Sequence, residues 1–121
     1  RQADFPEPPP RKALPERRAE ALILRDARGR LLLARHPGER LLAGFWELPA
    51  PDALPFPLPG RPRRVGTYRQ TFSHFRLTLT VRAAPPLPDA PPLPEGFCWC
   101  ADPSALPLTT AARKILARRR D

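Results

Sequence analysis

The sequence predicts an α+β domain, a series of short strands closed by a single helix. Three observations carry that prediction. Residues 75–81 alternate apolar Phe75, Leu77, Leu79 and Val81 with polar Arg76, Thr78 and Thr80, the period-two pattern of a half-buried strand. Residues 109–120 instead place Ala112, Ile115 and Leu116, with Ala111 beside them, on one helical stripe. A threonine can cap that helix, and its late cations suit the helix dipole. The third observation is 20 prolines in clusters, five in residues 6–15, six in 49–62 and six in 85–94. Proline removes a backbone donor and fixes φ, so these runs are connections, not strands or helices. The 121 residues then make one domain with a small, sheet-based core.

Residues 1–18, with Phe5-Pro6-Glu7-Pro8-Pro9-Pro10, read as an extended linker, and the domain proper occupies 19–121. Glu20 to Arg25 and Arg30 to Arg35 are expected to form a hairpin around the turn Asp26-Ala27-Arg28-Gly29, where Gly29 is free to take a positive φ. Leu41 to Pro49 holds Phe45 and Trp46 beside Gly44 and reads as a short buried strand. A second hairpin covers residues 63–82, with Val65, Tyr68 and Thr71 on its first arm. Its tip is Phe72-Ser73-His74, an aromatic ring, a hydroxyl and an imidazole at a junction with no glycine to make the turn. Those side chains are there for what they touch, or the segment is a plain hairpin with a polar tip. Gly96 to Ala101 is another short strand, and the helix follows.

The net charge is +9 with a pI near 11.3, which points to an anionic partner. Its distribution says more than its sum. No acid lies between Asp52 and Asp89, whereas Arg61, Arg63, Arg64, Arg69, Arg76 and Arg82 do. An arginine-biased composition with solvated basic faces would give the same total, but arginine's planar fork suits phosphate and the one-sided window favours nucleic acid. Cys98 and Cys100 share a strand face, too close for an ordinary disulfide and too few for a zinc or iron–sulfur site. They read as buried thiols in a reducing, cytoplasmic setting. No apolar run approaches a membrane span and no signal-peptide pattern opens the chain. The polar, proline-rich start without methionine reads as a piece of a longer protein.

Three blocks taken in order resemble a known family. Ala21-Leu22-Ile23-Leu24 through Leu41-Leu42-Ala43-Gly44-Phe45-Trp46-Glu47-Leu48-Pro49 resembles the opening of a Nudix-type domain. Thr71-Phe72-Ser73-His74-Phe75-Arg76-Leu77-Thr78-Leu79 resembles the Phe-Ser-His loop of MutY-type adenine DNA glycosylases, and Pro107-Leu108-Thr109-Thr110-Ala111-Ala112-Arg113-Lys114-Ile115-Leu116 resembles their closing helix. The resemblance spans residues 18–118 and implies a Nudix-like mixed sheet with a C-terminal helix. It also implies a noncatalytic domain that recognises 8-oxoguanine opposite adenine in duplex DNA. An N-terminal catalytic domain of the same chain, with an iron–sulfur cluster, would excise the adenine. This part would hold no cofactor, no metal and no catalytic residue, and would be inert alone. Phe72, Ser73 and His74 would read the lesion and Arg64, Arg69 and Arg76 would hold phosphates, in a monomer without membrane attachment, cytoplasmic and associated with a bacterial nucleoid.

The chemistry fits those residue types. Oxidation at C8 turns the N7 acceptor of guanine into a donor and adds a carbonyl acceptor beside it. A serine hydroxyl donates and accepts, and a neutral imidazole does so with its two nitrogens. One departure from the family pattern is plain. A metal-dependent Nudix hydrolase needs a Glu-rich helix to hold Mg²⁺, and residues 48–62 offer only Asp52 and six prolines. That helix is expected to be shortened or lost, which excludes metal hydrolysis. Two other classes stay in view, a degenerate Nudix enzyme acting on oxidised nucleotides and a protein-interaction module that docks its proline-rich runs in aromatic grooves.

Overall fold

Strand β1 (Glu16–Ile23) begins earlier than the alternation of its side chains predicts, because it is held by a partner sixty residues away. It pairs in parallel with β5 (Arg76–Ala83), from Glu16↔Arg76 to Ile23↔Ala83. Residues 16–18, assigned to the linker, are therefore sheet. In the computed structural model, which describes residues 14–35, 44–58 and 60–118, β5 also pairs antiparallel with β4 (Arg63–Thr71). These three strands form one mixed sheet in the order β1-β5-β4. A second, antiparallel sheet has the order β3-β2-β6, from β2 (Leu31–Arg35), β3 (Trp46–Glu47) and β6 (Phe97–Cys100). Helix α1 (Thr110–Arg118) follows. The expected α+β class holds.

The first expected hairpin is only half right. The turn forms, with Gly29 at φ 80°, but β1 and β2 diverge into different sheets. Pairing between them is confined to the Arg25–Leu31 bridge and to bonds such as Leu32 N–H to the Leu24 carbonyl at 2.9 Å. Asp26 closes that turn from inside. It is 2% exposed, and its carboxylate accepts from the backbone N–H groups of Arg28 (2.9 Å) and Arg30 (2.8 Å) and from Arg30 Nε (2.7 Å).

Successive leucines serve two cores. Ala21, Ile23, Leu31, Leu33, Tyr68, Val81, Leu108, Ala112 and Ile115 form a cluster under α1, with Cys98 and Cys100 packed against it. Leu22, Leu24 and Leu32 point the other way, with Leu87, Phe97 and Trp99. Strands covered on both faces need apolar residues at every position, which is why 21–24 and 31–33 read as unbroken apolar runs. The two cysteines do share a face, but they are half-buried and free rather than fully buried. Burial, and then the neighbouring Cys100, push the Cys98 thiol above its ordinary pKa.

Residues 54–58 and 87–93, from the two later proline-rich stretches, form the cover of the second core. Leu54, Phe56, Leu58 and Leu93 pack against it, and among the described residues the 48–62 segment holds only one 3-10 turn, Pro51–Ala53. The helix expected there by resemblance is thus reduced to a single turn. Of the buried strand expected at 41–49, only Trp46–Glu47 is strand, and residues 41–43 lie outside the described residues.

Thr109 starts α1 as expected. It is 7% exposed, and its Oγ1 accepts from the Ala112 N–H at 3.2 Å. A Thr109→Ala variant should lose about 1 kcal/mol. In urea it should lower the unfolding midpoint and leave the slope unchanged.

Candidate nucleic-acid interface

The β4–β5 hairpin carries its tip on residues 72–75. The Phe72 N–H donates to the Phe75 carbonyl at 2.8 Å, closing the loop without glycine. The Phe72 and Phe75 rings stack with centroids 4.7 Å apart and 24° between their planes, and the Arg17 guanidinium lies over Phe75, 4.4 Å from its centroid. Phe72 is 37% exposed. Offset stacking of this kind fixes a loop that has no turn residue to fix it. Ser73 and His74 sit at the apex, exposed, and among the described residues neither side chain has a hydrogen-bond partner. The tip therefore presents a hydroxyl and an imidazole, both open to bonding, on an aromatic base.

The hairpin has two unlike faces below the tip. The inner face, toward α1, bounds a cleft of about 350 Å³ whose lining includes Phe72, Phe75, Gln70, Leu79, Glu47 and Thr109. The outer face carries Arg69 opposite Thr78 and Arg76 opposite Thr71, so these two phosphate candidates share one side of the sheet, next to the tip. Arg64 stands apart. It pairs with Arg82 at the far end, seven residues before Thr71, roughly 23 Å away along the strand. Its Nη2 donates to Thr67 Oγ1 at 3.0 Å.

Space fills in what the sequence left bare. The acid-free window 53–88 meets two carboxylates from β1. Glu20 pairs with Arg82 at 3.2 Å, and Glu16 accepts from Thr78 Oγ1 at 2.9 Å and lies 3.3 Å from Arg18. The Thr78 hydroxyl first, then the Arg18 charge, with Arg69 adding to it, hold the Glu16 carboxyl below its ordinary pKa. The outer face is therefore less positive than the sequence window implies. In the second basic run Arg118 lies over the Tyr68 ring at 5.8 Å, and residues 119–121 fall outside the described residues. The sequence reading missed both Glu16 and Arg17, because parallel pairing at a distance of sixty residues leaves no local signal.

Among the described residues no three of His, Cys, Asp or Glu come together as a metal site, so the donor set for a Mg²⁺-dependent hydrolase is not found there. Nor is any described helix long and apolar enough to cross a membrane.

A mixed three-stranded sheet, a second antiparallel sheet and a closing helix, with a cleft between sheet and helix, define a small α+β domain. The chain belongs to the NUDIX domain family, whose model matches residues 20–118. Solved structures share the fold at low identity. The Escherichia coli ORF135 protein is 20% identical, with a TM-score of 0.59 over 89% of this chain and 96% of that one. The C-terminal domain of mouse MUTYH, solved in complex with human PCNA, is 22% identical, with a TM-score of 0.62 over 83% and 84%. A MutT protein from Methanosarcina mazei Go1 is 17% identical, with a TM-score of 0.64 over 87% and 93%. No curated protein matches the sequence.

Proposed function

We propose that this domain reads 8-oxoguanine opposite adenine in duplex DNA, as the noncatalytic recognition domain of a MutY-type adenine DNA glycosylase. The observation that carries the reading is the exposed Ser73–His74 pair on its stacked aromatic base. Ser73 would meet the N7–H and C8 carbonyl that oxidation creates, and His74 would add a second bond. Arg69 and Arg76 would hold phosphates beside the tip, without reading sequence. Arg64 would engage the duplex only at a distance from the lesion. In this reading the residues before β1 join a catalytic domain with the iron–sulfur cluster, and the domain works as a monomer on the bacterial nucleoid. The likeness to the MUTYH C-terminal domain supports this reading through the fold alone.

An amide NMR titration with two short duplexes tests it, one holding 8-oxoguanine opposite adenine and one plain guanine. Shifts at residues 72–76 that appear with the lesion duplex alone are expected, on top of shifts near the arginines that both duplexes share. Ser73→Ala combined with His74→Ala should abolish the preference and leave salt-dependent binding to both duplexes. Preference surviving that double change overturns the assignment.

The cleft between Leu79 and Thr109 favours a second reading, a binder or hydrolase of free oxidised nucleotides. Hydrolysis of 8-oxo-dGTP to its monophosphate and pyrophosphate in the presence of Mg²⁺ would decide for it. An interaction module is less suited to residues 54–58 and 87–93, because their leucines and Phe56 are already spent on the second core.

A further inference from the structure

We infer that Arg17, on the strand that enters the domain, is the positioning residue for the reading tip. The inference rests on the proposed reading of Ser73 and His74, and supplies what that reading lacks, a reason for the tip to hold one shape. Residues 72–75 extend past the last β4–β5 pair, Thr71↔Arg76. A loop of four residues without a glycine or proline turn has one backbone bond of its own, Phe72 N–H to the Phe75 carbonyl, and little else in its main chain to order it.

What adds to it is a row of three side chains in contact. The Arg17 guanidinium lies 4.4 Å from the Phe75 centroid, and Phe75 lies 4.7 Å from Phe72. Arg17 reaches that place because β1 runs parallel to β5 with Arg17 beside Leu77, on the inner face that also carries Phe75. The main chain reinforces the same junction, since the Arg76 N–H donates to the Pro15 carbonyl at 2.9 Å. Strand β1 thus grips the base of the tip by backbone and side chain together. The guanidinium's breadth matters here, because a lysine ammonium keeps the charge as a compact, strongly hydrated point and covers less of the ring.

That difference separates positioning from a plain phosphate contact. In the free domain, Arg17→Lys and Arg17→Ala should both shift the amides of residues 72–75 and raise their fast motion in relaxation measurements, with shifts elsewhere limited to the neighbours of Arg17 on β1 and β5. On DNA, both should lose lesion preference by about fivefold, the scale of one cation–π contact. Arg17→Lys should keep wild-type binding to the plain duplex and its salt slope.

Unchanged tip amides in both variants would overturn the inference. So would Arg17→Lys with full lesion preference, which would leave Arg17 as a phosphate ligand at most. If the tip loosens as expected while the wild-type domain itself shows no lesion preference, the positioning role stands and the lesion reading fails. The two failures are thereby distinct.

Discussion

An Asp26→Asn variant is expected to lose about 3 kcal/mol of stability and roughly 10 °C of thermal midpoint, the largest cost of a polar substitution among the described residues. Asp26 is 2% exposed and its two oxygens accept three hydrogen bonds, from the Arg28 and Arg30 N–H groups and from Arg30 Nε. An amide in its place offers one oxygen, turns an –NH₂ toward donors and leaves the Arg30 guanidinium without its countercharge. Burial works against the charged form of Asp26, but the bonds from Arg30 and Arg28 outweigh it and hold the carboxyl below its ordinary value of 3.8. A group depressed in the folded state contributes fully above its unfolded pKa, and the contribution is lost as pH falls through the folded one. The stability gap between wild type and Asp26→Asn should therefore be constant near neutrality and shrink below about pH 4. Urea midpoints of both proteins at pH 7, 5 and 3 measure this, and a gap that stayed constant down to pH 3 would mean that the charge contributes nothing.

How much of this was legible depends on how local each cause is. The alternation of Leu77, Leu79 and Val81 with Thr78 and Thr80 could be read directly, since one face of β5 meets the core and the other meets polar groups. The helix showed itself through Thr109, Ala112 and Ile115 for the same reason. Asp26 and Gly29 announced a turn, but turn chemistry says nothing about how far the arms stay paired, so the hairpin was drawn too long. The partner of β1 is β5, and nothing local encodes a parallel pairing across sixty residues. Glu16 and Arg17 take their roles from that pairing alone. At the tip, Phe72, Ser73 and His74 were visible as a cluster. Phe75 was read only as the first apolar position of a strand, although two aromatics bracketing a loop at i and i+3 are a usable signal for a stack.

The proline-rich segments are the least obvious part of the sequence, and one residue tests what they do. Trp99→Ala should cost about 3 kcal/mol, a large share of the roughly 5–15 kcal/mol that holds a domain of this size together. Trp99 sits opposite Leu32 on the β2–β6 ladder. Its ring stacks with Phe56 of the 49–62 segment at 6.2 Å and 21°, and its Nε1 donates to the Pro91 carbonyl of the 85–94 segment at 3.2 Å. It is the one side chain among the described residues that touches both segments by an aromatic stack and a hydrogen bond. If the segments form a true layer, amides of 54–58 and of 87–93 should gain exchange together in Trp99→Ala. Trp99→Phe keeps a ring against Phe56 and loses only the bond to Pro91, so it should cost about 1 kcal/mol and loosen residues 87–93 alone. Exchange unchanged in both variants would mean that the segments are tethers and that Leu22, Leu24 and Leu32 hold the second core unaided. A layer is what the chemistry favours. Leu22, Leu24 and Leu32 need apolar cover, and a chain of prolines with leucines and a phenylalanine supplies it with few backbone donors left to satisfy. A helix would have brought its own hydrogen bonds and, in a hydrolase, its carboxylates. The core requires only the apolar face, so this segment can cover it while presenting no carboxylate but Asp52.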